Sequence, residues 1–240
     1  MISIQHEDGE NHGRQATRNL GFEHTESDYI VFLDSDFTVK SGILKEYEKE
    51  IRHHDVVLSN ICFINSDSNH WAHYLTSRQH KTIGKSILPV EYYVSGCVVI
   101  NRNVFEKAGK FDEQIITYGG DLAFSMQLKS IGIRSLRRAP NAVVEGRETK
   151  TSVQVIRQHQ QIIEGTLPYL LNKYGTDKSY PYHLETILRM NKIFPLRKIT
   201  VLHALKQVIP SVLEYSRPNW ITDSVLRLAI VLTMVASCND

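Results

Sequence analysis

The chain has 240 residues, 42% hydrophobic and 22% charged, a make-up that excludes disorder and fibrous repeats and suits one α/β domain with an appendage or two small domains. Its 28 basic and 26 acidic residues are mixed to a formal net charge of +2, without the basic stripe of a phosphate-backbone binder, so no nucleic-acid partner is expected. Cys62, Cys97 and Cys238 stand far apart with no C-x-x-C pair, which argues against a disulfide framework or zinc knuckle and points to a reducing, cytoplasmic setting.

Met1 to Gly9 carries acids and a histidine where a secretory leader needs an apolar run. From Ile2 to Asn141, short β-rich runs alternate with polar helical stretches, the signature of an α/β layer structure. Helices are expected at Gly13 to His24, Gly42 to His53, Asn103 to Ala108 and Asp121 to Ile131, the last closed by Gly132. Strands are expected at Tyr29 to Leu33, Val56 to Ile64, Tyr92 to Asn101, Arg134 to Leu136 and Ala142 to Glu145. His70, His73 and His80 read as surface residues of a polar loop, in which Trp71 and Tyr74 suit either core packing or stacking on a sugar. Thr151 to Tyr174 is a long helix with Ile156, Ile163, Leu167, Leu170 and Leu171 on one face. From Ser179, prolines punctuate short apolar helices, so the expected division is 1–150 and a helical extension 151–240. Val225 to Ala236 is shorter than the about 20 residues a spanning helix requires and reads as a buried helix or a membrane-surface contact.

Asp34-Ser35-Asp36 follows an apolar strand, and in extended backbone its two carboxylates point to one side at the strand's carboxyl end, the edge where open α/β sheets bind ligands. A divalent cation bridging a diphosphate relieves their mutual repulsion, whereas the plain alternative is a solvated turn. Arg14 and Arg18 lie one helical turn apart and fit either a diphosphate or a solvated face, while Gly13 permits close backbone approach.

Asn11-His-Gly13-Arg14-Gln-Ala16-Thr-Arg18-Asn19-Leu-Gly21 and Asp28-Tyr-Ile-Val-Phe-Leu-Asp34-Ser-Asp36 together resemble the N-x-G-x-x-x-A-R-N-x-G…Y-I-x-F-L-D-x-D block of family 2 glycosyltransferases of the GT-A fold. Val94-Ser95-Gly96-Cys97, with Phe105-x-x-x-Gly109-x-Phe111-Asp112-Glu113, is similar to that family's acceptor-side segment, in which Gly96 keeps a bulky side chain away from the sugar and Phe111-Asp112-Glu113 is packing. Tyr118-Gly119-Gly120-Asp121-Leu-Ala-Phe124 through Leu128 and Gly132 is similar to the family's G-x-E-D-x-x-F-x-x-R-L-x-x-x-G element. That alignment puts Asp121 on the general base and Gly120 in place of a glutamate. As a bare residue, Asp121 is a helix cap that the helix dipole keeps ionised. Where many members have a histidine metal ligand, Glu145 stands here, either a third oxygen ligand or a surface acid paired with Arg147. Gln154-Val-Ile-Arg157-Gln158 lacks the aromatic of the processive Q-x-x-R-W motif, which favours single transfer.

The resemblance implies a Rossmann-like mixed sheet flanked by helices, N-terminally incomplete because the family's opening strands and base-reading Asp have no counterpart before Asn11, with a C-terminal helical appendage. It further implies transfer of a sugar with inversion from a nucleotide-sugar donor to a glycan, lipid-linked or other hydroxyl acceptor. Mg²⁺ or Mn²⁺ would be held by Asp36 and Glu145, and the donor bound through Gly13, Arg14, Arg18, Asp34, Asp36 and Gly96, with Asp121 as base. A partner chain that completes the domain fits the late start, and the alternative is a non-catalytic remnant or partner subunit of a transferase.

Overall fold

The apolar runs of the first 146 residues become the strands of a layered α/β unit in the computed structural model, which describes residues 4–80, 85–175, 209, 213 and 215–237. In chain order the elements are α1 (Gly13–Glu23), β1 (Tyr29–Leu33), β2 (Phe37–Val39), α2 (Ile43–Ile51), β3 (Val56–Phe63) and α3 (His70–His80). They continue with β4 (Ile87–Pro89), β5 (Cys97–Asn101), α4 (Arg102–Lys107), α5 (Gly120–Ser130), β6 (Ser135–Gly146), α6 (Ser152–Gln161), α7 (Leu167–Tyr174) and α8 (Trp220–Ser237). The chain divides into two compact units, residues 1–62 with 84–146 and residues 63–83 with 147–240.

In the first unit the strands follow the order β1-β5-β3-β6-β2, with β4 on the flank of β6. β1 and β3 both run antiparallel to β5, with Ile30 opposite Ile100 and Val57 opposite Val99. β5 reads Cys-Val-Val-Ile without alternation because both its faces are buried. Val98 and Ile100 join Phe22, Phe105, Phe124 and Leu128 under α1, α4 and α5. Cys97 and Val99 join Tyr47, Ile51 and Val144 under α2. β1 buries Ile30 and Phe32 in the first cluster and leaves Tyr29, Val31 and Leu33 about two-fifths exposed on its other face.

β6 explains how the path curls. Its twelve residues pair with β4 at Arg137 and with β2 at Glu145 and Gly146. Its buried positions lose strict alternation between Leu136 and Ala142, through Ala139 and the exposed Pro140, and resume it at Ala142, Val144 and Gly146. A proline removes one ladder donor and favours such an irregularity, so the two short strands expected on either side of it form one bent strand. The ends of the path, β1 and β2, are then joined by only three residues, Asp34 to Asp36.

The expected strand from Tyr92 begins only at Cys97. Residues Val90–Tyr92 form a 3-10 turn after Pro89, and Tyr93 N donates to Val90 O at 3.0 Å. β2 and β4, three residues each, escape periodicity altogether.

In the second unit, the stretch expected as a polar loop is the helix α3, capped where Ala72 N donates to Asn69 Oδ1 at 2.9 Å. Two of its histidines are not free surface groups: His70 is buried with Nε2 at 3.1 Å from Ser216 O, and His73 Nδ1 lies 2.9 Å from Asp223 Oδ1. Trp71 stacks on Tyr74 at 5.1 Å and meets His159 edge-on, so this pair is core, together with Val155, Ile156, Ile163, Leu167, Leu226 and Ile230. The long helix carries a Thr151–Gln154 capping box and is interrupted by a π-helical segment, Ile162–Thr166. The short helices expected from Ser179 to Val208 lie outside the described residues. Among the described residues no helix is long and apolar enough to cross a membrane.

Candidate functional site

The acid turn is a true turn, not extended backbone. Phe37 N donates to Asp34 O at 3.3 Å across Ser35 and Asp36, and Asp34 N donates to Gly96 O at 2.8 Å at the start of β5. The two carboxylates differ in exposure: Asp34 is half-buried and Asp36 is exposed. Asp and Ser suit turn positions because their short polar side chains compete with the ladder, and here that propensity wins over continuation of the strand.

Arg18, from α1, reaches Asp34 with Nη2 at 2.5 Å from Oδ1, and its guanidinium lies 5.6 Å from the Phe111 ring centroid. Arg14 turns elsewhere, donating to Thr117 O at 3.3 Å beside the Tyr118 ring. The structure thus brings only Arg18 to the acid turn.

Two glycines hold the turn in place. A Cβ on Gly96 would lie 2.9 Å from Phe37 Cε2 and 3.0 Å from Asp34 Oδ2, and one on Gly146 would lie 2.6 Å from Phe37 Cε1. The Phe37 ring is packed between them, and the Asp34 carboxylate sits against Gly96 where any side chain would displace it. Gly13 has φ +87° and faces Ile116 O, 3.2 Å from where its Cβ would be, so the close approach it allows is that of the 116 loop.

Asp121 stands in the first turn of α5 but does not cap it. The cap position is Gly119, in the left-handed conformation, and makes no side-chain bond. Asp121 Oδ1 accepts instead from Ser95 N at 3.1 Å and Ser95 Oγ at 2.5 Å. Burial pushes its carboxyl above the ordinary range, while the Ser95 bonds and the Arg18 charge pull it down and the Asp34 charge raises it further. The helix dipole expected to hold it ionised is outweighed by the loss of water. Tyr93, two residues before Ser95, is buried with its hydroxyl lacking a partner among the described residues; burial and the Asp121 charge raise that phenol well above its ordinary value.

Glu145 forms an ion pair at 2.7 Å with Lys40, whose ammonium that bond raises, not with Arg147. Among the described residues no three His, Cys, Asp or Glu side chains gather as a metal-holding group. Lying opposite Thr38 in the β2 pairing, Glu145 is on the strand that the acid turn leads into.

Three residues that sequence reasoning passed over complete the frame. Asn19 accepts from Phe111 N at 3.0 Å and donates to Phe111 O and Glu113 Oε1, which ties α1 to the segment before α5 and accounts for Phe111-Asp112-Glu113 as packing. Ser95 positions Asp121, and Phe37 wedges the turn. Asn19 and Ser95 both stand in the family-like motifs, beside Arg18 and Gly96, and of the three Phe37 alone lacked a signal.

Residues 7–109 match the family model described as Glycosyl transferase family 2. A comparison with curated proteins gives no match. Among solved structures the chain is similar to S. aureus TarS. For the structure of TarS 1-349 the identity is 13%, covering 93% of this chain and 69% of that one, with a TM-score of 0.45. For TarS 1-349 in complex with UDP it is again 13%, covering 94% and 70%, with a TM-score of 0.45. For TarS itself it is 13%, covering 95% and 43%, with a TM-score of 0.46.

Proposed function

We propose, on the premise that residues 7–109 belong to glycosyl transferase family 2, that this glycosyltransferase moves a sugar from a nucleoside-diphosphate donor to a hydroxyl acceptor with inversion, in single transfers. The observation that carries the reading is the arrangement of Arg18, Asp34 and Asp121, three charged groups from α1, the acid turn and α5 that fall within one electrostatic neighbourhood around Ser95 and Gly96.

Asp121 takes the acceptor proton. A desolvated carboxylate with a raised pKa is the stronger base, and a single base of this kind supports one in-line displacement, which inverts the anomeric carbon. Arg18 offers a guanidinium to a diphosphate oxygen, at the cost of sharing Asp34, and Arg14 could assist only by leaving Thr117 O. Gly96 keeps the backbone bare beside the Asp34 carboxylate, whereas the space at Gly13 is taken up by Ile116.

The donor set fits a hard cation. Asp36 is exposed, Asp34 Oδ2 is left by Arg18, and ions such as Mg²⁺ take one or two carboxylates and fill the remaining positions with phosphate oxygens and water. Bound there, Mg²⁺ or Mn²⁺ supplies charge neutralisation for the leaving diphosphate. Glu145 would add a third oxygen only if it left its ion pair with Lys40.

Calorimetry with Mn²⁺ and a panel of UDP-glucose, UDP-N-acetylglucosamine and GDP-mannose tests this. The expected outcome is metal-dependent heat with at least one donor, weakened roughly tenfold or more in Asp36→Asn. A folded sample without such heat supports the alternative, a non-catalytic remnant or partner subunit. One observation favours that second reading: β1 pairs with β5 along one edge and with no described strand along the other, and Tyr29, Val31 and Leu33 leave its outer face apolar, as suits a partner chain that completes the domain. Trp220, Ile221, Leu228 and Val231, exposed along α8, support a peripheral membrane contact on the cytoplasmic side.

A further inference from the structure

Inside the acidic element the chain has glycine where the resemblance places a glutamate, and the space explains it. Gly120 lies outside the left-handed region, so its backbone would accept any residue. Its surroundings would not: a Cβ there would lie 1.7 Å from Nε2, 2.6 Å from Cδ and 3.1 Å from Oε1 of Gln15. Gln15 comes from the buried face of α1 and is only 4% exposed, so its carboxamide has little room to retreat. The volume in which a side chain at 120 would begin is filled from another helix, by a neutral amide.

That amide is incomplete as a packing group. Its Oε1 is buried with no hydrogen-bond partner among the described residues, a state that native structures rarely leave uncompensated. An unpaired carbonyl oxygen can be satisfied only by a donor. Phosphate and carboxylate groups offer none, whereas a hydroxyl does, and a hydroxyl is also what Asp121, the next residue along from Gly120, would deprotonate. We propose that Gln15 is a specificity-determining residue for a polyol acceptor, its Oε1 accepting a hydrogen bond from a hydroxyl of the bound sugar at the amino end of α5. This rests on Asp121 being the base of the reaction.

Two measurements test it. In the transfer assay, Gln15→Met keeps the volume and removes the acceptor oxygen; the acceptor KM should rise about tenfold, the effect of leaving one neutral hydrogen-bonding group unpaired, with the donor KM within about twofold. Gln15→Ala/Gly120→Gln, which returns a carboxamide from the other side, should recover most of the loss. An unchanged acceptor KM in folded Gln15→Met overturns the proposal. The second measurement needs no turnover: the side-chain amide resonances of Gln15, assigned by their absence in Gln15→Met, should shift when glucose, N-acetylglucosamine or glycerol is titrated into the full chain. If none moves them while Mn²⁺ and a sugar nucleotide still bind, Gln15 has no such role and the transferase reading stands. If they move while no sugar nucleotide binds, the polyol site stands and the transferase reading falls.

Discussion

The acid turn and the amino end of α5 each present an aspartate, and they treat it in opposite ways. At the turn, Asp34 keeps 36% of its side-chain surface and leans on a guanidinium, and Asp36 is open to solvent, so charge there is wet and exchangeable. At α5, Asp121 is stripped of water and held through one oxygen by the neutral donors of Ser95. The first environment suits a carboxylate that must trade partners with a cation and a diphosphate. The second suits one that must take up a proton. The contrast teaches that one residue type acquires two roles from burial and partner charge.

The sharpest way to break the contrast is Asp121→Asn, which should lower turnover by roughly 10²–10⁴-fold while leaving donor affinity unchanged in calorimetry. It also has a stability signature. Asp121 has a folded pKa raised above its unfolded value, so its contribution is fully present below the unfolded value and is lost as pH rises through the folded one. The asparagine variant should therefore unfold at higher denaturant than the wild type near neutral pH, an advantage that vanishes in acid; equal midpoints at both pH values would count against the desolvated carboxylate. Gly96→Ala attacks the other region. Its methyl meets Phe37 and the Asp34 carboxylate at 2.9 and 3.0 Å and should cost about 1–3 kcal/mol in denaturant unfolding, with weakened metal-dependent donor binding. Ser95→Ala should have the smallest effect. By removing a bond that lowers the Asp121 pKa it should move the acid limb of the pH–rate profile to higher pH, and a limb that stays put would show that Ser95 does not set the base.

Much of this was legible in the chain. The strand Tyr29–Leu33 and the helices from Gly13 and at Asp121 were set by local periodicity and by glycine stops, and the structure keeps them nearly to the residue. What could not be read was long-range. The turn at Asp34-Ser-Asp36 depends on Gly96 and on a phenylalanine clasped by Gly146, and the hold on Asp121 comes from Ser95, 26 positions away. The helix α3 was hidden by a polar sequence whose histidines find partners in residues 216 and 223. Gln15 gave no signal at all, since an unremarkable helical glutamine acquires meaning only against a glycine on another helix.

The strand path whose two ends are tied by Asp34 to Asp36 also bears on how the unit comes apart. An open sheet can fray at either border independently, each outer strand melting as a separate event of low free energy. Here β1 cannot drift without dragging the turn, and the turn cannot loosen without releasing β2 from the bent β6. Opening at one border should therefore pull on the other, and amide exchange in β1 and β2 is expected to report one coupled event. The backbone that carries the two carboxylates is placed from both ends of the strand path.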